Sequence, residues 1–263
     1  MTGFPRARRG LAAALLCLTP MAAFAADIPE AQRRSGYEFM APETRAIEDD
    51  DAANPGMLTV LDGDALWNRG EGPAGKSCAS CHGDGPTSMT GVAARYPAVD
   101  AALGAPVDLE ERINLCRTEH QETTPLPFES KDLVALTAFL AHRSKGRPID
   151  IAEDPQTRRF ASAGKAIFER RQGQLNLSCA QCHDDNWGER LGGAMIPQAH
   201  PTGYPLYRLE WQSIGSLRRR LRNCLAGMRA EPYPDDAPEI VDLELYLAWR
   251  ARGLLIDTPA VRP

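Results

Sequence analysis

Two stretches of this chain carry two cysteines and a histidine at the spacing that fastens a porphyrin. They are Cys78-Ala79-Ser80-Cys81-His82 and Cys179-Ala180-Gln181-Cys182-His183. Two thiols three residues apart reach the two vinyl groups of one haem, and the adjoining histidine swings beneath the ring to ligate the iron. Each stretch therefore reads as a c-type haem attachment site. Together they predict two covalently attached haem c groups, held by Cys78 and Cys81 and by Cys179 and Cys182, with His82 and His183 as iron ligands. The competing reading is a pair of structural zinc sites. That needs a second cysteine pair beside each motif to complete a tetrahedron, and neither motif has one.

The chain has seven cysteines. Four belong to the motifs, Cys17 lies in the N-terminal leader, and Cys116 and Cys224 remain. Three readings stay open for these two. They form one disulfide, as an oxidising compartment allows; they are buried free thiols packed as small hydrophobes; or each is a thiolate bound to its own haem iron. Met89, Met195, Met228, His120 and His200 are other possible ligands, but none recurs at a matched place in both halves.

The elements that must position these groups come from an internal duplication. Gly63 precedes Cys78 by the same interval as Gly164 precedes Cys179. Residues 64–70 match residues 165–171 as an amphipathic helix running into the motif. Leu136-Thr137-Ala138-Phe139-Leu140-Ala141-His142-Arg143 matches Leu243-Glu244-Leu245-Tyr246-Leu247-Ala248-Trp249-Arg250, and Gly146 and Gly253 follow in the C-cap position. Between these landmarks, residues 112–116 align with residues 220–224, so the two lone cysteines occupy equivalent places. That pairing favours thiolate ligation over the disulfide and the free thiols.

A helix, a haem motif, a loop and a closing helix make the plan of a class I cytochrome c domain. The expected fold is mainly α, with tandem duplicated class I cytochrome c domains at 57–147 and 161–263, each binding one covalent haem. Segment 148–160 is the expected linker, and 26–56 a polar extension that wraps the protein or meets a partner. Residues 1–25 read as a secretory signal peptide. Arg6, Arg8 and Arg9 precede the apolar run 11–18, and Ala23-Phe24-Ala25 supplies small residues for cleavage. The apolar run is too short to span a membrane. The net charge of −5 argues against nucleic acid as a partner.

Around Cys224, Leu217, Leu221, Leu225 and Met228 fall at helical spacing and predict a buried face. Arg220, four residues before Cys224, shares a side of that helix. Arg218, Arg219, Arg222 and Arg229 surround the pair and suggest an anion site focused on a reactive sulfur, against the plainer reading of a solvated basic face. Arg112 and Arg117 flank Cys116, but Glu110, Glu111 and Glu119 offset them, so the two haem sites are expected to differ in function.

The most specific stretches are residues 182–188 (Cys-His-Asp-Asp-Asn-Trp-Gly), 203–208 (Gly-Tyr-Pro-Leu-Tyr-Arg) and 222–229 (Arg-Asn-Cys-Leu-Ala-Gly-Met-Arg). On these residues the chain resembles the SoxA family, the dihaem subunit of the periplasmic sulfur-oxidising cytochrome complex SoxAX. The resemblance implies an L-cysteine S-thiosulfotransferase. Such an enzyme joins thiosulfate oxidatively to a SoxY cysteine of the SoxYZ carrier, with electrons passing to a c-type cytochrome. It implies a SoxX-type cytochrome as heterodimer partner and a periplasmic location. It places the family's active-site cysteine, found as a persulfide, on Cys224, and its substrate-binding arginine on Arg220. Cys116 and Cys224 are then the distal iron ligands.

The residues read alone are compatible. Thiosulfate is a dianion whose sulfonate oxygens match arginine forks, and a thiolate is the sulfur nucleophile. The alternative is a plain periplasmic dihaem electron-transfer cytochrome. It accounts for both motifs and leaves the arginines at Cys224 unexplained.

Overall fold

A computed structural model describes Met1 and residues 28–263. The leader expected at 1–25 lies, but for Met1, outside the described residues. Helix α1 spans Pro42–Asp49 and α2 Gly56–Asn68. The first haem motif is a one-turn helix, α3 (Cys78–His82), followed by α4 (Gly85–Ser88), the hairpin β1 (Ala98–Asp100) and β2 (Ala105–Val107), α5 (Leu109–Glu119) and α6 (Lys131–His142). The second half repeats the order with α7 (Pro155–Glu169) and α8 (Cys179–His183). Then come a short hairpin of β3 (Arg190–Leu191) and β4 (Ala194–Met195), the hairpin β5 (Leu206–Arg208) and β6 (Ser213–Gly215), α9 (Leu217–Gly227) and α10 (Pro238–Arg250). Strand β7 (Val261–Arg262) lies parallel to β5.

In each half the first long helix crosses the last: α2 packs on α6 and α7 on α10. The paired glycines sit at these crossings. A Cβ on Gly63 would stand 2.1 Å from the Ala135 carbonyl oxygen, and one on Gly164 would stand 1.9 Å from that of Asp242. Only a residue without a side chain lets the two backbones come so close. Below the first crossing lie Val60, Trp67, Ile113, Leu136 and Phe139. Below the second lie Ile167, Phe168, Leu221, Leu243, Tyr246 and Leu247.

The stretch expected as a linker is built into the fold instead. Ile149 and Ile151 are buried in a third cluster with Leu245, Ala248 and Ile256, and Ile149 N–H donates to the Leu254 carbonyl at 2.9 Å. Its last residues are already helix. Pro155 opens α7, and Asp154 caps it by accepting from Gln156 and Thr157 N–H.

The 26–56 arm crosses to the second repeat. Arg34 N–H donates to Gln198 Oε1 at 2.8 Å, and the Arg34 carbonyl meets His200 Nδ1 at 2.7 Å. Asn54 Nδ2 donates to the Pro259 carbonyl at 2.8 Å. Glu48, buried on α1, accepts from Val261 N–H at 2.9 Å and pairs with the Arg262 guanidinium. Among the described residues no helix is long and apolar enough to cross a membrane.

Candidate functional site: two thiol–histidine pockets of unequal charge

Each haem motif is held as a capped turn. Ser77 Oγ accepts from Ser80 N–H at 3.0 Å and Ser178 Oγ from Gln181 N–H at 3.2 Å, while Gln181 Oε1 accepts from Ser178 N–H at 2.9 Å. The turn puts both cysteines of a motif on one side with the histidine at its end. His183 is enclosed. Its Nδ1 lies 2.6 Å from the Pro197 carbonyl, which leaves Nε2 free. Burial, with Arg220 and Arg250 nearby, pushes its pKa down to about 4 and keeps the ring neutral. A neutral imidazole whose Nδ1–H is spent on a carbonyl is what an axial ligand requires. His82 is exposed, and its ring lies 5.7 Å from that of Trp67.

Each lone cysteine belongs to the motif of its own repeat. Burial, with Cys116 and Cys81 nearby, raises the Cys78 thiol. Burial, with Cys224 and Cys182 nearby, pushes Cys179 up to about 12. None of Cys78, Cys81, Cys116, Cys179, Cys182 and Cys224 is paired in a disulfide. Among the described residues no three His, Cys, Asp or Glu side chains are arranged to hold a metal ion by themselves, which is not how a structural zinc site is built. The donors in each repeat fit a haem c: two thiols on one turn, a histidine at its end and a lone thiol near them.

The arginines around Cys224 do not act together. Arg218 is buried and forms ion pairs with Asp108 and Glu111 of the first repeat, at 2.5 and 2.8 Å. Its guanidinium also lies 4.2 Å above the Phe128 ring. Arg219 stacks on Trp211 at 4.2 Å, and Arg222 pairs with Asp235 at 2.6 Å. Arg229 sits past the end of α9 with φ of 54°. Arg220, the one of the five that lies a helical turn from Cys224, makes no carboxylate ion pair among the described residues. The expected cluster of five thus reduces to one arginine on the side of Cys224.

The first repeat is also neutralised differently from the expectation. Arg112, the counterpart of Arg220, pairs with Asp100 on β1, and Arg117 reaches Glu71 at 3.8 Å. Glu110 and Glu111 face the seam between the repeats, where Asp108, Glu244 and Arg218 complete a buried cluster. Burial and the neighbouring carboxylates raise Glu110 and Glu244 well above the usual range.

Two residues that sequence reasoning passed over stand beside Arg220. Tyr204, in the motif stretch 203–208, is enclosed with Arg220, Cys224 and Arg208 around it, and burial pushes its phenol up to about 12. Arg208 lies on β5, and burial followed by the Arg220 charge lowers its pKa. Continuing the alignment upstream would have found both, because Tyr96-Pro97 and Tyr204-Pro205 hold the same place before their hairpins. Of the other candidate ligands, Met228 is buried and His200 is tied to Arg34.

The family described as SoxA/TsdA, cytochrome c domain, matches residues 62–149 and 163–256. The L-cysteine S-thiosulfotransferase subunit SoxA of Pseudaminobacter salicylatoxidans is 42% identical over 229 residues, covering 87% of this chain and 80% of that protein. The SoxA of Rhodovulum sulfidophilum is 36% identical with the same coverage. A crystal structure of SoxXA from P. pantotrophus superposes with a TM-score of 0.84 at 33% identity, covering 88% of this chain and 87% of that one.

Proposed function

The chain belongs to the SoxA/TsdA cytochrome c family, and from that premise we propose that it is the SoxA-type subunit of an L-cysteine S-thiosulfotransferase whose reaction centre is Cys224 in the second repeat. It joins thiosulfate to a cysteine of a SoxY-type carrier, works beside a SoxX-type cytochrome and passes electrons to a c-type cytochrome. The observation that carries the assignment of Cys224 is the placement of Arg220. It sits one helical turn from Cys224 with no carboxylate to neutralise it, whereas Arg112 beside Cys116 is paired with Asp100. A plain electron carrier has no use for that difference.

Two haem c groups would be held by Cys78, Cys81, His82 and Cys116 and by Cys179, Cys182, His183 and Cys224. Bound there, haem iron supplies a sink that takes up electrons one at a time. The protein's own residues do the rest. Arg220 binds the sulfonate oxygens and turns the outer sulfur of thiosulfate toward Cys224. The Cys224 sulfur bonds to that outer sulfur, a step that releases two electrons. The carrier's thiolate then attacks the transferred sulfur and displaces Cys224 as a thiolate by thiol exchange. The product is the carrier cysteine bearing the thiosulfate group. We assign the first domain to 57–147 and the second to the stretch from the Asp154 cap of α7 to residue 263, and the protein to the periplasm after removal of residues 1–25.

Cys224→Met tests the reading, because methionine keeps a sulfur donor and removes the thiol. Thiosulfate coupling to the carrier is expected to fall by at least a thousandfold while haem content is kept. Coupling at the wild-type rate in that variant would sink the assignment.

A further inference from the structure

The two repeats differ in charge at several matched positions, and one such difference, Asp100 against Arg208, falls on the Cys224 site. Strand β1 leads through a tight hairpin to β2 and α5, and β5 leads in the same way to β6 and α9. The registers are parallel: Ala98 faces Val107 as Leu206 faces Gly215, and Asp100 faces Ala105 as Arg208 faces Ser213. Asp100 and Arg208 are therefore the same position. In the first repeat that side chain reaches the arginine one turn before the lone cysteine, forming the Asp100–Arg112 ion pair. In the second repeat the same position carries Arg208, which lies near enough to Arg220 to feel its charge.

Like charges are not gathered in a half-buried pocket without an anion to answer them, because each raises the cost of holding the other. Arg208 shows this directly. Its side chain is 13% exposed; one nitrogen, Nη2, holds Glu210 at 2.9 Å on the solvent side, and its guanidinium lies 5.3 Å from the Trp211 ring. Its Nε is buried and has no hydrogen-bond partner. A buried guanidinium N–H left unmatched is a donor awaiting an acceptor. Arg208, Arg220 and Cys224 all act electrostatically on the one phenol of Tyr204, so the unmatched Arg208 donor lies in the neighbourhood of Cys224.

We propose that Arg208 is a second substrate-binding arginine, which with Arg220 grips the oxygens of a sulfur oxyanion, the sulfonate end of thiosulfate, at Cys224. This rests on the assignment of Cys224 as the reaction centre. Two arginines match the charge of the dianion, and two planar forks fix its orientation as well as its affinity. The first repeat, with aspartate at the same position, binds no such anion.

The test uses the holoprotein with its SoxX-type partner and three variants: Arg208→Asp, Arg208→Gln and Arg208→Lys. Aspartate already stands at this position in the first repeat, so the fold accommodates it. Thiosulfate binding is read by calorimetric titration and coupling by steady-state kinetics. Arg208→Asp is expected to weaken thiosulfate binding and raise KM by at least a hundredfold, with haem content and absorption spectrum unchanged. Arg208→Lys keeps the charge without the fork and is expected to lose about tenfold.

An affinity within twofold of wild type in Arg208→Asp overturns the proposal. So does a shifted midpoint potential in Arg208→Gln with unchanged thiosulfate affinity, since Arg208 would then serve a haem propionate. If Arg208→Asp loses haem, the Gln and Lys variants decide by the same affinity criterion. A wild-type protein that binds thiosulfate through Arg208 but couples nothing would overturn the reaction and leave the binding site standing.

Discussion

Gly164→Ala puts the smallest side chain into the tightest place in the second repeat. The new Cβ would stand 1.9 Å from the Asp242 carbonyl oxygen and 2.8 Å from Tyr246 Cβ. Contacts below 3.0 Å do not occur at a real Cβ, so α10 must retreat from α7 by about 1 Å. The clash is with backbone, so no side-chain rotation relieves it. The retreat opens a seam filled by Phe168, Leu243, Tyr246 and Leu247, each under 9% exposed. Overpacking costs about 1–3 kcal/mol, and a clash with backbone, which no rotamer relieves, falls at the upper end, about 3 kcal/mol. Alanine's better helix propensity returns up to about 1 kcal/mol, leaving a loss near 2 kcal/mol.

For a chain of this size that lowers the melting temperature by roughly 4–8 °C. Gly227→Ala, at the end of α9, is the control. Nothing lies within 4 Å of its Cβ, so only the propensity gain remains and the protein should melt at or slightly above the wild-type temperature. Thermal unfolding of the three holoproteins by far-ultraviolet circular dichroism gives the answer. A Gly164→Ala protein that melts with wild type would mean that the helix crossing is not closed at this glycine, and the explanation of both paired glycines would fall with it.

Two further outcomes follow from the buried ion pairs. Arg218→Met leaves Asp108, Glu110, Glu111 and Glu244 at the seam without their cation. Removing one partner of a buried pair costs about 3–5 kcal/mol; urea denaturation showing a loss under 1 kcal/mol would contradict the seam as described. Glu48 has its pKa raised to about 7, chiefly by burial and in spite of Arg262. With the folded pKa above the unfolded value of 4.5, the folded state holds the proton more tightly. Its contribution is therefore complete below pH 4.5 and is lost as pH rises through about 7. The margin by which wild type out-melts Glu48→Gln should accordingly shrink between pH 5 and pH 7.5, and a margin that grows would refute the burial argument.

The parts of the fold written in spacing were legible. The glycine intervals before each motif, the matched closing helices and the paired cysteines mark the repeat, because each answers a local demand: a close helix crossing, a buried face, a position across from the haem turn. The expected linker failed for a non-local reason. Pro155 and the charges around it look like loop, but Asp154 makes the proline a helix start, and Ile149 and Ile151 find partners on a tail more than a hundred residues away. The extension at 26–56 was legible as an arm but not in its destination, since it precedes the first repeat and packs on the second. Arg208 was passed over because its meaning depends on Asp100, which precedes Arg112 by the same interval as Arg208 precedes Arg220, and both lie upstream of the aligned residues 112–116 and 220–224.

The arginine-rich helix shows how a count misleads where a direction does not. An α-helix turns about 100° per residue, so Arg218, Arg219, Arg220 and Arg222 point four ways. Only Arg220 falls within about 40° of Cys224 around the axis; the others are carried to the seam, to Trp211 and to Asp235. Duplication supplies two copies of every direction, and the copies are then told apart by what stands at matched positions. Glu110 of α5 and Arg218 of α9 hold the same place in their helices, and opposite charge there helps lock one repeat against the other. Asp100 and Arg208 hold the same place in their hairpins, and on the proposed reading opposite charge there pairs the arginine beside one cysteine and leaves the one beside the other open to an anion. Both differences use the same scaffold geometry, so a change of side chain alone is enough to give two equal pockets the different charge that the proposed anion site requires.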